Sequence, residues 1–367
     1  MSTASVKLPN WINYGLMPLI NLIVAFLISG LVIWLIGESP LEALDFMLRG
    51  ALGSGEAIGF TLYYATSFIF TGLSVAIAFH AGLFNIGSEG QAYVGGLGAA
   101  LVALALDHYV PWYVTMPFAI LGAALFGAAW AFIPAWMQAK RGSHIVITTI
   151  MFNFIGAALM VYLLVNVLIV PGKMAPETRT FLPGGQLPKL DWLMAIFGMK
   201  LGAAPLNFSF IIALVMCVLI WLLIWRTKLG FEMRTLGVSP SAAIYAGVPY
   251  VRTVIIAMLL SGALAGMMAL NPVLGASARL QVEFVGGAGF VGIAVSLMGR
   301  NHPLGIVLAA ILFGLLYKGG DELSFERPAI TRDMVMVIQG LVILFAGALE
   351  HMFRPAIVKI YTRFAKG

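Results

Sequence analysis

The residues Phe84-Asn85-Ile86-Gly87-Ser88-Glu89-Gly90-Gln91 interrupt an apolar stretch that runs from 72 to 105, and they carry its densest polar chemistry. Asn85, Ser88 and Gln91 each offer hydrogen-bond donors and acceptors, a set that suits the hydroxyls of a sugar or the edge of a base. Phe84 and Tyr93 add aromatic faces for a flat or apolar group, and Glu89 adds a carboxylate. In hydrocarbon every backbone donor and acceptor needs an internal partner, so glycine-loosened backbone with such side chains belongs inside protein or beside water. Two roles are open for this break. It lines a transport path, or it is a structural interruption whose side chains satisfy its own freed backbone groups.

Other chemistries find little support. The histidines His80, His108, His144, His302 and His351 have no metal-ligand spacing. Cys217 is the single cysteine, which leaves no disulfide framework and no CxxC site. No Ser-His-Asp order, paired carboxylates on one helix face or GxxxxGK[ST] phosphate loop is present. The chain reads as a non-enzyme without a cofactor of its own.

The elements that must hold the break follow from composition. With 61% hydrophobic and 10% charged residues in a chain of 367, no water-soluble core hides the apolar surface, so an all-α, polytopic membrane bundle is expected. The formal charge of +6 would suit nucleic acid in a soluble chain. Here the basic residues sit between apolar runs, and membrane topology accounts for them without any nucleic acid. The length rule gives about ten spans, near 16–37, 57–79, 90–106, 111–137, 145–170, 206–225, 252–272, 285–299, 303–318 and 333–350. The first, with no small-residue cleavage site after it, is expected to be a retained helix. The third and eighth are short and glycine-rich, as in broken helices near the middle of the bilayer. Lys140-Arg141, Arg226, Lys228, Arg300 and the tail Arg354, Lys359, Arg363 and Lys366 favour both termini inside. The whole chain is expected to form one transmembrane domain.

Two connections are long. The outer loop 171–205 is punctuated by Pro and Gly, either a functional loop or a passive cap. The inner segment 226–251 predicts a short helix, with Ser239 as its cap, Pro240 at its first position, Ala242 and Ala243 within it, and Gly247 and Pro249 at its end. Such a helix between spans suits the docking of a soluble partner. Asn153 and Asn166 predict interhelical hydrogen bonds. Asp321, Glu322 and Glu326, with Lys318 and Arg327, predict a solvated loop.

Four strings, FNIGSEGQ (84–91), RGSHIVITTIMFNFI (141–155), LGFEMRTLGVSPSAAIYAGV (229–248) and GFVGIAVSLMGRNHPLG (289–305), together resemble the permease subunits of bacterial ABC importers. The branch is that of ribose-type and branched-chain amino-acid permeases, and the first two strings are most similar to its nucleoside-type members. The resemblance implies half of a permease dimer in the bacterial cytoplasmic membrane. The second permease subunit is expected to be related but different, and a substrate-binding protein to deliver cargo from outside. Two ATPase subunits, or one fused ATPase, would hold ATP and magnesium. It places Phe231, Arg234, Gly237, Ala242, Ala243 and Gly247 at the ATPase contact, and Phe84, Asn85, Ser88, Glu89, Gln91 and Tyr93 along the translocation path. Relatives tend to carry a polar-acidic pair where this chain has His144-Ile145. An ion-coupled secondary transporter is the rival class, but it needs intramembrane charge, and only Glu89 and Glu283 offer any. An ABC permease for a simple sugar or a branched-chain amino acid is a second alternative. A lipid-modifying membrane enzyme lacks its metal-binding or nucleophile motifs.

Overall fold

The computed structural model describes residues 17–327, 330–331 and 334–341. Every named regular element among them is helical, in agreement with the expected all-α class. Seven helices are long and apolar enough to cross a membrane, or eight if one sharply bent pair counts as a span. The expected span at 333–350 runs beyond the described residues. The termini and the basic tail, on which the orientation rests, lie wholly outside them.

The chain divides into two compact units, Met1–Gly53 with Leu315–Gly367, and Ser54–Gly314. In the first, α1 (Met17–Leu35) is followed by α2 (Pro40–Leu52) across a bend of 116°. Ser39 and Pro40 start α2, as expected of a capping serine followed by proline at the first helical position. Ala25, Ile33, Met47, Leu316, Leu323 and Ile338 form the apolar core of this unit. The cluster Asp321, Glu322 and Glu326, expected in a solvated loop, is instead helical as far as Glu326, the end of α13 (Pro303–Glu326). Lys318 pairs with Glu322 one turn on at 3.0 Å, and such spacing supports a helix past its apolar run.

The second unit holds α3 (Gly55–His80), α4 (Ser88–Leu106), α5 (Trp112–Arg141), α6 (Ile145–Asn166), α7 (Asp191–Ile196), α8 (Ser209–Arg226), α9 (Lys228–Val238), α10 (Pro240–Tyr245), α11 (Tyr250–Met267), α12 (Ala288–Met298) and the start of α13. A π-helix, Leu270–Ala276, extends α11. The helices α3, α4 and α11 are mostly buried, whereas α5, α6 and α8 present most of their surface outward. Leu121, Leu125, Phe154 and Val218 are among the large apolar side chains on that outer surface. Apolar groups out and polar groups in is the pattern expected in lipid, where small residues rather than hydrophobic drive bring helices together. Gly95 on α4 lies so close to the backbone of Gly266 on α11 that a Cβ there would overlap it.

The 285–299 run forms only the 11-residue helix α12. At 1.5 Å per residue this covers roughly 16 Å, about half of a ~30 Å hydrocarbon core. The chain before it, 277–287, is non-helical. Ala278 and Glu283 have positive φ of 51° and 61°, followed by Gly286 and Gly287 at 55° and 80°. This crossing is the discontinuous one. The break at 84–91 is different, since α3 and α4 are two separate full-length helices and residues 81–87 turn between them.

Candidate functional site

The turn between α3 and α4 does not stay at the bundle end. Ser88, the first residue of α4, has its Oγ 3.1 Å from that of Ser74. Ser74 lies six residues before the end of α3 at His80, roughly 9 Å back along that helix. Residues 84–88 therefore re-enter the bundle, and the polar side chains satisfy them there. Asn85 Nδ2 donates to Gln91 Oε1 at 2.9 Å and to Ser261 Oγ at 2.8 Å, while its Oδ1 accepts from the Gly87 N–H at 2.9 Å. Ser261 on α11 donates to the Ser74 carbonyl at 2.7 Å. Asn153 on α6 makes the predicted interhelical contact, accepting from Gly90 N–H at 2.8 Å and donating to the Ile86 carbonyl at 2.9 Å. Asn166 does not, because its amide bonds the Tyr162 carbonyl of its own helix.

Asn85, Ser88 and Gln91 are almost wholly enclosed and engaged by this chain. Phe84 packs edge-on against Phe79, and Tyr93 against Phe284, with ring centroids 5.1 and 5.5 Å apart. Glu89 is buried rather than solvated. Its Oε1 accepts from Gly287 N–H at 2.9 Å and its Oε2 from Gly289 N–H at 2.8 Å. The side chain thus caps the start of α12 from another helix, where the free N–H groups and the helix dipole favour an anion. A Cβ on Gly289 would collide with the Glu89 backbone, so the close approach requires glycine.

A second buried knot was not foreseen. Asn271 in the π-helix donates to the Tyr63 carbonyl and to Ser67 Oγ, both at 2.9 Å, and accepts from Asn207 Nδ2 at 2.9 Å and Ser209 Oγ at 3.1 Å. The only sequence signal was a polar Asn-Pro pair, Asn271-Pro272, inside an apolar run.

At the same end of the bundle the 171–205 loop is folded onto the unit. Glu177 pairs with Arg279 at 2.7 Å, Thr178 N–H donates to the Leu280 carbonyl at 3.0 Å, and Leu187 N–H to that of Leu274 at 3.0 Å. Asp107, just beyond α4, accepts two bonds from the Arg179 guanidinium, at 2.7 and 2.8 Å, and one from the Leu182 N–H at 2.8 Å. Burial pushes the Asp107 carboxyl up, but these donors outweigh it and hold the group below its ordinary value.

At the opposite end, two helices replace the single predicted one, α9 and α10, hinged at Ser239 with φ −156°. Thr227 caps the first and Ser239 the second, and Gly247 follows at φ +84°. Met233, Leu236 and Ala243 pack inward with Ala78, Leu83, Ile145 and Met258. Ala243 is therefore fully enclosed and presents no surface of its own. Gly237 abuts the His80 carbonyl at the end of α3, which links α9 mechanically to the turn at 81–87. Phe231, Val238, Ile244 and Tyr245 remain exposed, with Ala242 and Gly247 beside them. Arg234 is half-buried.

A many-span helical protein with buried polar turns, a discontinuous crossing and an exposed pair of short helices at one end is a membrane permease in architecture. Residues 57–347 match the family model described as branched-chain amino acid transport system / permease component, and the chain belongs to that family. It is similar to the nucleoside ABC transporter permease protein NupB of Lactococcus lactis subsp. cremoris, 32% identical over 90% of each chain. It is 34% identical to the guanosine ABC transporter permease protein NupP of Bacillus subtilis, over 92% of this chain and 94% of that one. The glucose ABC transporter permease protein TsgB13 of Haloferax volcanii is 31% identical over 92% of this chain and 88% of its own. A second permease protein from each of the first two organisms matches at 27% and 26%, over 69% of this chain. The protein is thus an ABC-transporter permease of the nucleoside and sugar type.

Proposed function

We propose that this chain is the membrane-spanning permease subunit of an ATP-driven importer in a bacterial cytoplasmic membrane, forming half of the path for a nucleoside or a similar small polar solute. The observation that carries the reading is the α9–α10 pair, whose underside is built into the core while Phe231, Ile244 and Tyr245 stand exposed. An apolar and aromatic crest on a rigid support suits the groove of a soluble partner. That partner is an ATPase, present as two subunits or one fused chain, which holds ATP and magnesium. Arg234, Gly237, Ala242, Ala243 and Gly247 form or support the crest. Nucleotide-driven movement of the ATPases shifts α9, which moves the end of α3 through Gly237 and the 81–87 turn with it. Asn85, Ser88, Glu89 and Gln91 act by holding the path wall together, and Phe84 and Tyr93 by packing it.

The nucleoside cargo is supported by the similarity to the nucleoside permease NupB and the guanosine permease NupP, and the related second permease by the weaker matches from the same two organisms. A substrate-binding protein delivers the cargo at the end closed by the 171–205 loop. The glucose relative supports a second reading in which the solute is a simple sugar. Reconstituting the complex with its binding protein and measuring uptake of labelled guanosine against labelled glucose tests both. Guanosine uptake with cargo-stimulated ATP hydrolysis is the expected result. Glucose uptake alone favours the second reading. Arg234→Glu or Gly247→Trp is expected to abolish the stimulation while the complex still folds. Unchanged stimulation in both variants removes the coupling assignment.

A further inference from the structure

Glu283 occupies an unusual position for a carboxylate. Its neighbour Phe284 lies against Gly96 and Tyr93, close to the midpoint of α4, so the segment runs at mid-depth of the bundle. Glu283 itself is exposed, and no hydrogen bond or ion pair engages its side chain among the described residues. The backbone around it is non-helical from 277 to 287, with positive φ at Glu283, Gly286 and Gly287. Gly286 and, at 49%, Phe290 are exposed on the same stretch.

Lipid is not a tenable neighbour for this surface. Irregular backbone at membrane depth persists only where it is buried in protein or lines water, because hydrocarbon leaves its polar groups unpaired. A charged side chain at that depth carries the same requirement. Residues held in sparsely populated backbone regions also cluster where function over-determines them. From these three observations we infer that the exposed face of 281–290, centred on Glu283, lines the aqueous translocation path, and that the Glu283 carboxylate is its polar contact for cargo. Glu283 accepts hydrogen bonds from the hydroxyl or N–H groups of a neutral solute and disfavours anionic ones such as phosphorylated forms. Glu89 anchors the inner end of this lining by capping α12, and the ladder to residues 177–181 anchors the outer end.

The inference rests on the permease reading but not on the identity of the cargo, and its test is chosen accordingly. Glu283→Cys and Leu125→Cys are made in a Cys217→Ser background, in membrane vesicles carrying the whole transport complex. A water-soluble, membrane-impermeant thiosulfonate is then applied with and without trapped nucleotide. Leu125 is 65% exposed near the middle of α5 and serves as the lipid-facing control. The thiolate is the reactive species and apolar surroundings suppress it. Glu283→Cys is expected to react on the order of tenfold faster or more than Leu125→Cys in at least one nucleotide state. Phe290→Cys is expected to react likewise and covers the case in which Glu283→Cys fails to assemble. Reaction as slow as the control at both positions in both states overturns the inference. Rapid labelling without guanosine uptake leaves the inference standing and removes the nucleoside reading. Glu283→Lys is expected to abolish uptake and Glu283→Gln to slow it several-fold, and wild-type uptake in both removes the cargo contact.

Discussion

Glu89 and Gly287 are 198 residues apart in sequence, yet the carboxylate of one accepts the N–H of the other at 2.9 Å and holds the start of α12 in place. A helix that covers only half the bilayer has its first turn inside the protein, where unpaired N–H groups cost most. The carboxylate is therefore part of the discontinuous crossing and not a stray charge.

Removing that cap is expected to loosen the crossing. Glu89→Ala leaves the buried Gly289 N–H and the part-buried Gly287 N–H without partners, at up to roughly 1–3 kcal/mol each, whereas Glu89→Gln keeps one acceptor. Thermal inactivation of the detergent-solubilised complex should rank wild type above Gln and Gln above Ala. Equal half-lives for all three would show that water replaces the carboxylate without cost.

The contact of α4 with α11 should tolerate no side chain. Gly95→Ala is expected to force the two helices apart and reduce the yield of folded protein sharply, because the new Cβ meets Gly266 backbone and not a movable side chain. Gly340→Ala, where a Cβ would meet nothing within 4 Å, serves as a control and should be neutral or slightly stabilising. Size-exclusion profiles after solubilisation report the difference.

The 171–205 loop should respond to acid in a defined direction. Asp107 has a lowered folded-state value, so its contribution is complete above the unfolded value of about 4 and is lost as pH falls through the folded one. Hydrogen exchange of residues 178–187, corrected for the intrinsic pH dependence of each amide, is expected to be unchanged from pH 8 to 5 and to accelerate below about pH 4. Asp107→Asn should show the accelerated exchange already at neutral pH. Arg179 is 43% exposed, so solvent screening limits the loss to roughly 1–2 kcal/mol.

The crest of α9 and α10 should carry partner contact without carrying the fold. Tyr245→Ala and Ile244→Asp remove exposed groups, and both are expected to cut cargo-stimulated ATP hydrolysis several-fold with thermal stability unchanged. Ala243→Leu, which overfills the core beneath, should instead lower stability by about 1–3 kcal/mol. A stability loss in the first two variants would mean the crest belongs to the core.

Much of this architecture was legible in the sequence because its rules are local. A run of about 20 apolar residues has one stable form in hydrocarbon, which marks α3, α5, α6 and α8 without reference to anything else. The caps at Ser239, Pro240 and Gly247 act within a few residues of themselves, so α10 was found where it lies. The four family strings carried the permease class. What the sequence could not supply were partners distant along the chain. Glu89 meets Gly287, Asn85 meets Ser261, Asn271 meets Asn207 and Asp107 meets Arg179 only after the helices have packed. Hydropathy saw 285–299 as a short span because it averages over side chains, while the chain beside it was excluded from helix by positive backbone angles at Glu283, Gly286 and Gly287. The sequence by itself determined that this protein spans a membrane as helices and carries a short capped helix between two of them, where the structure has two. Tertiary structure alone decided which polar groups close on one another and which, at Glu283, are left open, because in lipid the placement of each buried polar atom depends on a partner that only the assembled bundle provides.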